Sequence, residues 1–128
     1  MKERNLQSTV LKNAQVLLGT SAIEIKAVKG LSIPFATLKD HQERALLLTQ
    51  SKRGIAWKIP DCGFQNPFDC FILKNTPAYV AVVFNTGKRG KKECWLIPIQ
   101  KWVAARNKGN RKSLTLETAR KIGVELLF

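Results

Sequence analysis

Acidic residues are scarce in this chain: 9 Asp and Glu stand against 22 Lys and Arg in 128 residues, a formal charge of +13. A field of that size attracts polyanions by screened Coulomb attraction and counterion release, which makes nucleic acid the leading partner. Long apolar runs are absent. None approaches the about 20 residues of a membrane span, and no segment reads as a strongly amphipathic basic helix, so no membrane partner is expected. The opening Met1-Lys2-Glu3-Arg4-Asn5 lacks the apolar core of a signal peptide and predicts a cytoplasmic protein. Cysteine is sparse and odd in number: Cys62, Cys70 and Cys94 form no Cys-x-x-Cys pair, which suits reduced thiols acting as small core residues. Their spacing with the single His41 matches no usual zinc pattern. What remains, with 45% hydrophobic residues, is ordinary for one compact domain with a real core.

Apolar periodicity sets out the elements. Leu6, Val10, Ala14 and Leu17, widened by Leu11 and Leu18, predict an amphipathic helix over 2–18 stopped by Gly19. A strand over 21–28 follows, then an extended connector at 31–35, where Pro34 biases Ile33 away from helical angles. Thr37 is the expected N-cap of a second helix reaching 51. Strands are expected over 55–59, 68–73 and 78–84, the last two joined as a hairpin through 74–77, and again over 94–99, where Pro98 suggests an edge. A short helix at 100–106 should turn Trp102 and Val103 inward, and Thr115 should cap a last helix to 122 before a final strand at 124–128.

Chemistry-bearing residues stand out where they interrupt apolar runs. In a strand over 21–28, Glu24 and Lys26 share one face while Ile23 and Ile25 share the other. Two charges persist on such a strand when paired with each other, a metal or a substrate. They read either as an ion pair at a strand end or as a metal-holding carboxylate with an ammonium beside it. Gln42 falls inside the apolar stripe of Leu38, Ala45 and Leu46, as a buried amide satisfied by backbone or as a side chain aimed at the Glu24 cleft. Asp69 is a carboxylate flanked by Phe68, Cys70 and Phe71, whereas Asp61, between Pro60 and Cys62-Gly63, reads more readily as a turn residue. Lys88, Arg89, Lys91 and Lys92 in one loop, and Arg106, Lys108, Arg111 and Lys112 in another, form a credible phosphate-backbone footprint. No aromatic residue interleaves these loops, which argues against single-strand stacking there.

In this order, Ala22-Ile23-Glu24-Ile25-Lys26, Leu31-Ser32-Ile33-Pro34-Phe35, Asp40-His41-Gln42, Lys58-Ile59-Pro60-Asp61 and Pro67-Phe68-Asp69-Cys70-Phe71 resemble the PD-(D/E)xK nuclease superfamily. The resemblance is closest to its small Holliday-junction-resolvase-like members, including phage-type ones, and covers roughly residues 20 to 103. It implies a single α/β domain with a central mixed β-sheet flanked by helices (restriction-endonuclease-like), and Mg²⁺-dependent hydrolysis of a DNA phosphodiester, with Mn²⁺ as a substitute. It further implies a homodimer on branched or duplex DNA in a prokaryotic cell or phage-infected host. Carried over, Glu24 ligates the metal, the Ile25 carbonyl completes the site, Lys26 orients the attacking water and Gln42 positions water or phosphate. The family places an Asp on the strand before Glu-x-Lys, yet no acid occurs between Glu3 and Glu24 here. Asp69 is the candidate replacement, followed by Asp61 and then Glu3. The missing Asp also motivates the alternative of a nucleic-acid-binding module of the same fold without chemistry.

Overall fold

Helix α1 (Glu3–Leu17) and strand β1 (Ala22–Lys29) lead into a short strand β2 (Ser32–Pro34), a single 3₁₀ turn and helix α2 (Asp40–Gln50). Strands β3 (Ile55–Lys58), β4 (Cys70–Leu73), β5 (Ala78–Asn85) and β6 (Lys92–Pro98) follow. Helix α3 (Ile99–Lys108), strand β7 (Ser113–Thr115), helix α4 (Leu116–Ile122) and strand β8 (Val124–Leu126) end the order. This computed structural model describes residues 3–60, 63, 65–87 and 91–127.

The central sheet has the order β1-β5-β6-β8, with β1 parallel to β5 and the other two pairings antiparallel. Strand β5, Ala-Tyr-Val-Ala-Val-Val-Phe-Asn, is apolar on both faces because both are covered. On one face Val80, Val82 and Phe84 join Leu38 and Leu46 beside α2, together with Trp102 of α3 and Ala119 of α4. On the other, Ala81, Val83, Cys94 and Leu96 meet Leu6, Val10 and Ala14 of α1, with Ile23 and Ile25 at the margin. The layers are therefore helix, mixed sheet, helices, a single α/β domain with four α-helices among the described residues.

Several expectations need correction. The predicted hairpin between 68–73 and 78–84 does not form: β4 pairs with β3 in a separate two-stranded sheet, since both edges of β5 are taken by β1 and β6. The turn between them is tied instead to the end of α2, Asn75 N–H donating to the Ser51 carbonyl and Thr76 N–H to that of Thr49. Strand β4 starts only at Cys70, so Phe68 and Asp69 lie in the bend before it. Pro98 marks no edge: β6 is interior, and β8 pairs only with Cys94 to Leu96 of it, so the missing proline N–H falls beyond that ladder. Helix α2 begins at Asp40 rather than after Thr37, which belongs to the 3₁₀ turn. On α1, Leu11 and Leu17 remain exposed, and the buried stripe is the narrower Leu6, Val10, Ala14. Cys70 is exposed and only Cys94 is core; Cys62 lies outside the described residues.

Two local devices fix the hairpin and the last helix. Gly54 has φ +72°, and a Cβ there would stand 2.5 Å from the Leu73 carbonyl oxygen and from the Lys74 Cβ, so only glycine lets β3 approach the end of β4. Thr115 caps α4 as expected, its hydroxyl accepting from Thr118 N–H at 3.2 Å. Arg120 of α4 grips Glu93 of β6 through two bonds, and this holds the Glu93 carboxyl below its usual range.

Burial pushes the Cys94 thiol up to about 12. At pH 8 about one molecule in ten thousand would carry the thiolate, the reactive form. Iodoacetamide should therefore alkylate exposed Cys70 within minutes and spare Cys94 until the protein is unfolded, as peptide mass spectrometry would report. Equal labelling of the two in the native protein would contradict the buried position of β6.

Candidate active site

Strand alternation puts Glu24 and Lys26 on the α2 side of the sheet, across from Val80 and Val82, and sends Ile23 and Ile25 toward α1, as the sequence requires. Lys26 Nζ lies 3.4 Å from Glu24 Oε1, with the Lys26 side chain 17% and the Glu24 side chain 33% exposed. Gln42 supplies the second contact, its Nε2 donating to the same Oε1 at 3.0 Å.

The orientation of that amide is imposed by the helix start. Lys39, the N-cap of α2, has no side-chain acceptor for the orphan N–H groups of the first turn. Gln42, at the third helical position, instead turns its Oε1 back to accept the Lys39 backbone N–H at 3.0 Å. With Oε1 committed, Nε2 faces Glu24. Both readings of Gln42 thus hold at once, backbone-satisfied amide and partner of the cleft carboxylate.

Glu24 Oε2 has no protein partner among the described residues. Backbone direction adds an oxygen nearby. Ala22 N–H and Gly30 N–H donate toward β5, to Pro77 and Asn85, so the even residues of β1 face β5 and the odd ones face away. The Ile25 carbonyl therefore points to the unpaired edge of β1. Glu24 opens into a groove of about 540 Å³ shared with His41, Gln42, Arg44, Leu48 and Trp57. Lys26 also borders a cavity of about 440 Å³ with Lys29, Asn85 and Lys92.

Asp69 does not line that groove. The β3–β4 ladder nevertheless runs one rung past the strand, Ile59 N–H donating to the Asp69 carbonyl at 2.8 Å, which sets Asp69 opposite Ile59. By alternation Asp69 shares the hairpin face of Phe71, Trp57 and Ile55, and the last two of these line the groove. Asp61 lies outside the described residues, as does the Glu3 side chain. Among the described residues no three His, Cys, Asp or Glu side chains gather as a potential metal cage. The oxygens open to a hard cation at this groove are thus one carboxylate oxygen and one carbonyl, with Asp69 on the adjoining hairpin face; with a single carboxylate, such an ion would rely on waters and substrate oxygens for its remaining ligands.

The basic residues divide. Lys88 and Arg89 are outside the described residues. Lys91 and Lys92 border a cavity of about 960 Å³ with Glu93 and Arg120. Arg106 and Lys108 sit in the last turn of α3 rather than in a loop, where their charge complements the helix dipole. Arg106 is paired with Glu43 of α2, whereas Lys108 and Arg111 line a groove of about 690 Å³ with Lys101, and Lys112 is exposed beside it. Thr115 borders both cavities. Sequence reasoning does not single out His41, Arg44 or Trp57 as residues of the Glu24 groove. A signal is present for Trp57 alone, through its two-residue spacing from Ile55.

Comparison with protein-family models, curated proteins and solved structures finds no match to this chain. Among the described residues no helix is long and apolar enough to cross a membrane.

Proposed function

We propose that this protein is a metal-dependent DNA endonuclease of restriction-endonuclease-like fold, selective for branched DNA in the manner of the Holliday junction resolvases it resembles, and acting as a homodimer. The observation that carries the reading is the carboxylate of Glu24, held at Oε1 by both Lys26 and Gln42 while Oε2, among the described residues, has no protein partner and faces an open groove. A bare ion pair needs no glutamine locked by a helix cap to hold its carboxylate rotamer. Glu24 Oε2, the Ile25 carbonyl and Asp69 are the residues that would hold Mg²⁺ or Mn²⁺. Such an ion supplies Lewis-acid polarisation of the phosphate and a water of lowered pKa. Lys26 offers its ammonium to charge building on the phosphate oxygens and to the attacking water, in a half-buried setting where that charge is poorly screened. Gln42 keeps Glu24 in one rotamer. The new P–O bond to water forms as one ester P–O bond breaks, and the leaving oxygen takes a proton.

The test is cleavage of labelled four-way junction, flap and linear duplex DNA with Mg²⁺, Mn²⁺ or EDTA. Cutting confined to the metal-containing reactions and strongest on branched substrates is expected. Tight binding with no cutting under any condition would favour the second reading, a binding module of the same fold, which the lack of a second carboxylate lining the groove among the described residues supports.

For DNA binding itself, Lys108, Arg111 and Lys112 are the phosphate contacts that the nuclease reading predicts. Changing all three to Gln should weaken duplex binding and flatten the slope of log K against log salt by about 0.9 for each phosphate no longer neutralised. Arg106→Gln should leave the slope unchanged and lower the melting temperature instead, since Arg106 serves Glu43. A slope unmoved by the triple change would place the footprint elsewhere.

A further inference from the structure

Among the described residues, the exposed aromatic side chains gather on the β3–β4 hairpin and in the bend before β4. Trp57 is 57% exposed, Phe71 41%, Phe68 55% and Ile72 67%. Single exposed apolar side chains are ordinary on any protein. Here, however, Trp57 and Phe71 are direct cross-strand partners, so two aromatic side chains stand side by side on one face. Trp57 also lines the groove that holds Glu24 and Gln42. The hairpin is well anchored to carry them, through Gly54 packed against Leu73 and Lys74 and through the bonds of Asn75 and Thr76 to the end of α2.

We propose that this face is a stacking platform for unpaired nucleobases, positioned so that an interrupted duplex presents its backbone to Glu24. The proposal rests on the nuclease reading for its purpose and adds the feature of the substrate that is recognised. Charge selects the occupant. Lys52, Arg53 and Lys74 are exposed beside the hairpin and Arg44 lines the groove, while Lys58 is exposed on the opposite hairpin face with Ile72. The segment 51–74 contains four cations against Asp61 and Asp69. A second copy docked here would set these lysines against their own counterparts, whereas a nucleic-acid strand offers π-faces to the rings and phosphates to the ammonium groups. Basic residues flanking aromatic rings are what sequence-tolerant strand binding requires, because every base has a face to stack.

The test uses the whole chain in EDTA, so it reads binding whether or not the protein cuts DNA. Trp102 is fully buried and Trp95 is half-buried and donates to Glu93, which leaves Trp57 as the indole open to a ligand. Its emission should be quenched on titration with a single-stranded oligonucleotide or a gapped duplex, and not by a blunt duplex. By anisotropy of labelled DNA, Trp57→Ala should lose about tenfold in affinity for gapped DNA with duplex affinity unchanged. Trp57→Tyr should retain most of the affinity, and Ile72→Ser, on the opposite face, all of it. Equal losses on gapped and blunt DNA, or no quenching, would overturn the proposal. So would sedimentation in which Trp57→Ala turns a dimer into a monomer while gapped-DNA affinity stays intact, which would make the hairpin a contact between copies.

Discussion

On the nuclease reading, Glu24→Gln should reduce Mg²⁺-dependent cleavage at least about a thousandfold while leaving DNA affinity intact or slightly higher. The glutamine keeps an oxygen for the Gln42 amide, so the geometry of the cleft survives, but it removes the negative charge that balances Lys26 and would hold the cation. Effects of that order follow from losing a charged partner of the reacting centre. Lys26→Ala should cost about 10² to 10⁴ in rate, by removing both water orientation and charge stabilisation. The two changes together should cost little more than Glu24→Gln alone, because groups that act as a unit do not add. Single-turnover cleavage of a junction substrate, with circular dichroism melts as a folding control, measures all three. Wild-type cutting by Glu24→Gln would remove Glu24 from the chemistry and the nuclease assignment with it.

Trp102→Ala should lower stability by about 3 to 5 kcal/mol, much of the total for a domain whose stability lies in the range of about 5 to 15 kcal/mol. Trp102 is fully buried and meets Phe35 edge-on, with ring centroids 5.2 Å apart and planes at 78°. Ile33, Leu38 and Leu46 belong to the same cluster, so the cavity would open beneath the helix that carries Gln42. The native residue is itself imperfect. Its indole N–H is buried without a hydrogen-bond partner among the described residues, a penalty of about 1 to 3 kcal/mol. Trp102→Phe should consequently cost clearly less than Trp102→Ala, since it gives up volume but also removes the orphan donor. Urea midpoints of the two variants provide the comparison; equal losses would mean that neither the ring volume kept by Phe nor the removal of the orphan donor matters at this position.

The parts of the fold legible in the sequence are those set by local period and capping. Glu24 and Lys26 on one face of β1 with Ile23 and Ile25 on the other, the Leu6, Val10, Ala14 stripe, the inward Trp102 and the Thr115 cap all follow from neighbours within a few residues. Choice of strand partner does not. The turn chemistry of Lys74-Asn75-Thr76-Pro77 suits a hairpin, yet β5 pairs with β1 and β6, while the turn's backbone is satisfied at the end of α2. Alternation gives Ile55 and Trp57 a common face but carries no information on whether another layer covers it. The hairpin's exposed aromatics therefore emerge only from the assembled chain. Likewise Arg106 reads as a loop cation because nothing near it in sequence reveals Glu43 across α2 and α3.

Parallel pairing of β1 with β5 also governs the order of assembly. Ala22 meets Ala78, and every later rung spans the same 56 residues, so closing this contact costs about 1.4 kcal/mol more chain entropy than closing the β3–β4 hairpin, whose innermost rung Lys58–Cys70 spans 12 residues. Local elements such as α2 and that hairpin can form in microseconds, while the β1–β5 rungs must wait for a long loop to close. On a growing polypeptide, Glu24 is synthesised early but gains its fixed place only after residue 85 has been added, still ahead of the β2 and β8 pairings, which wait for residues 113–126.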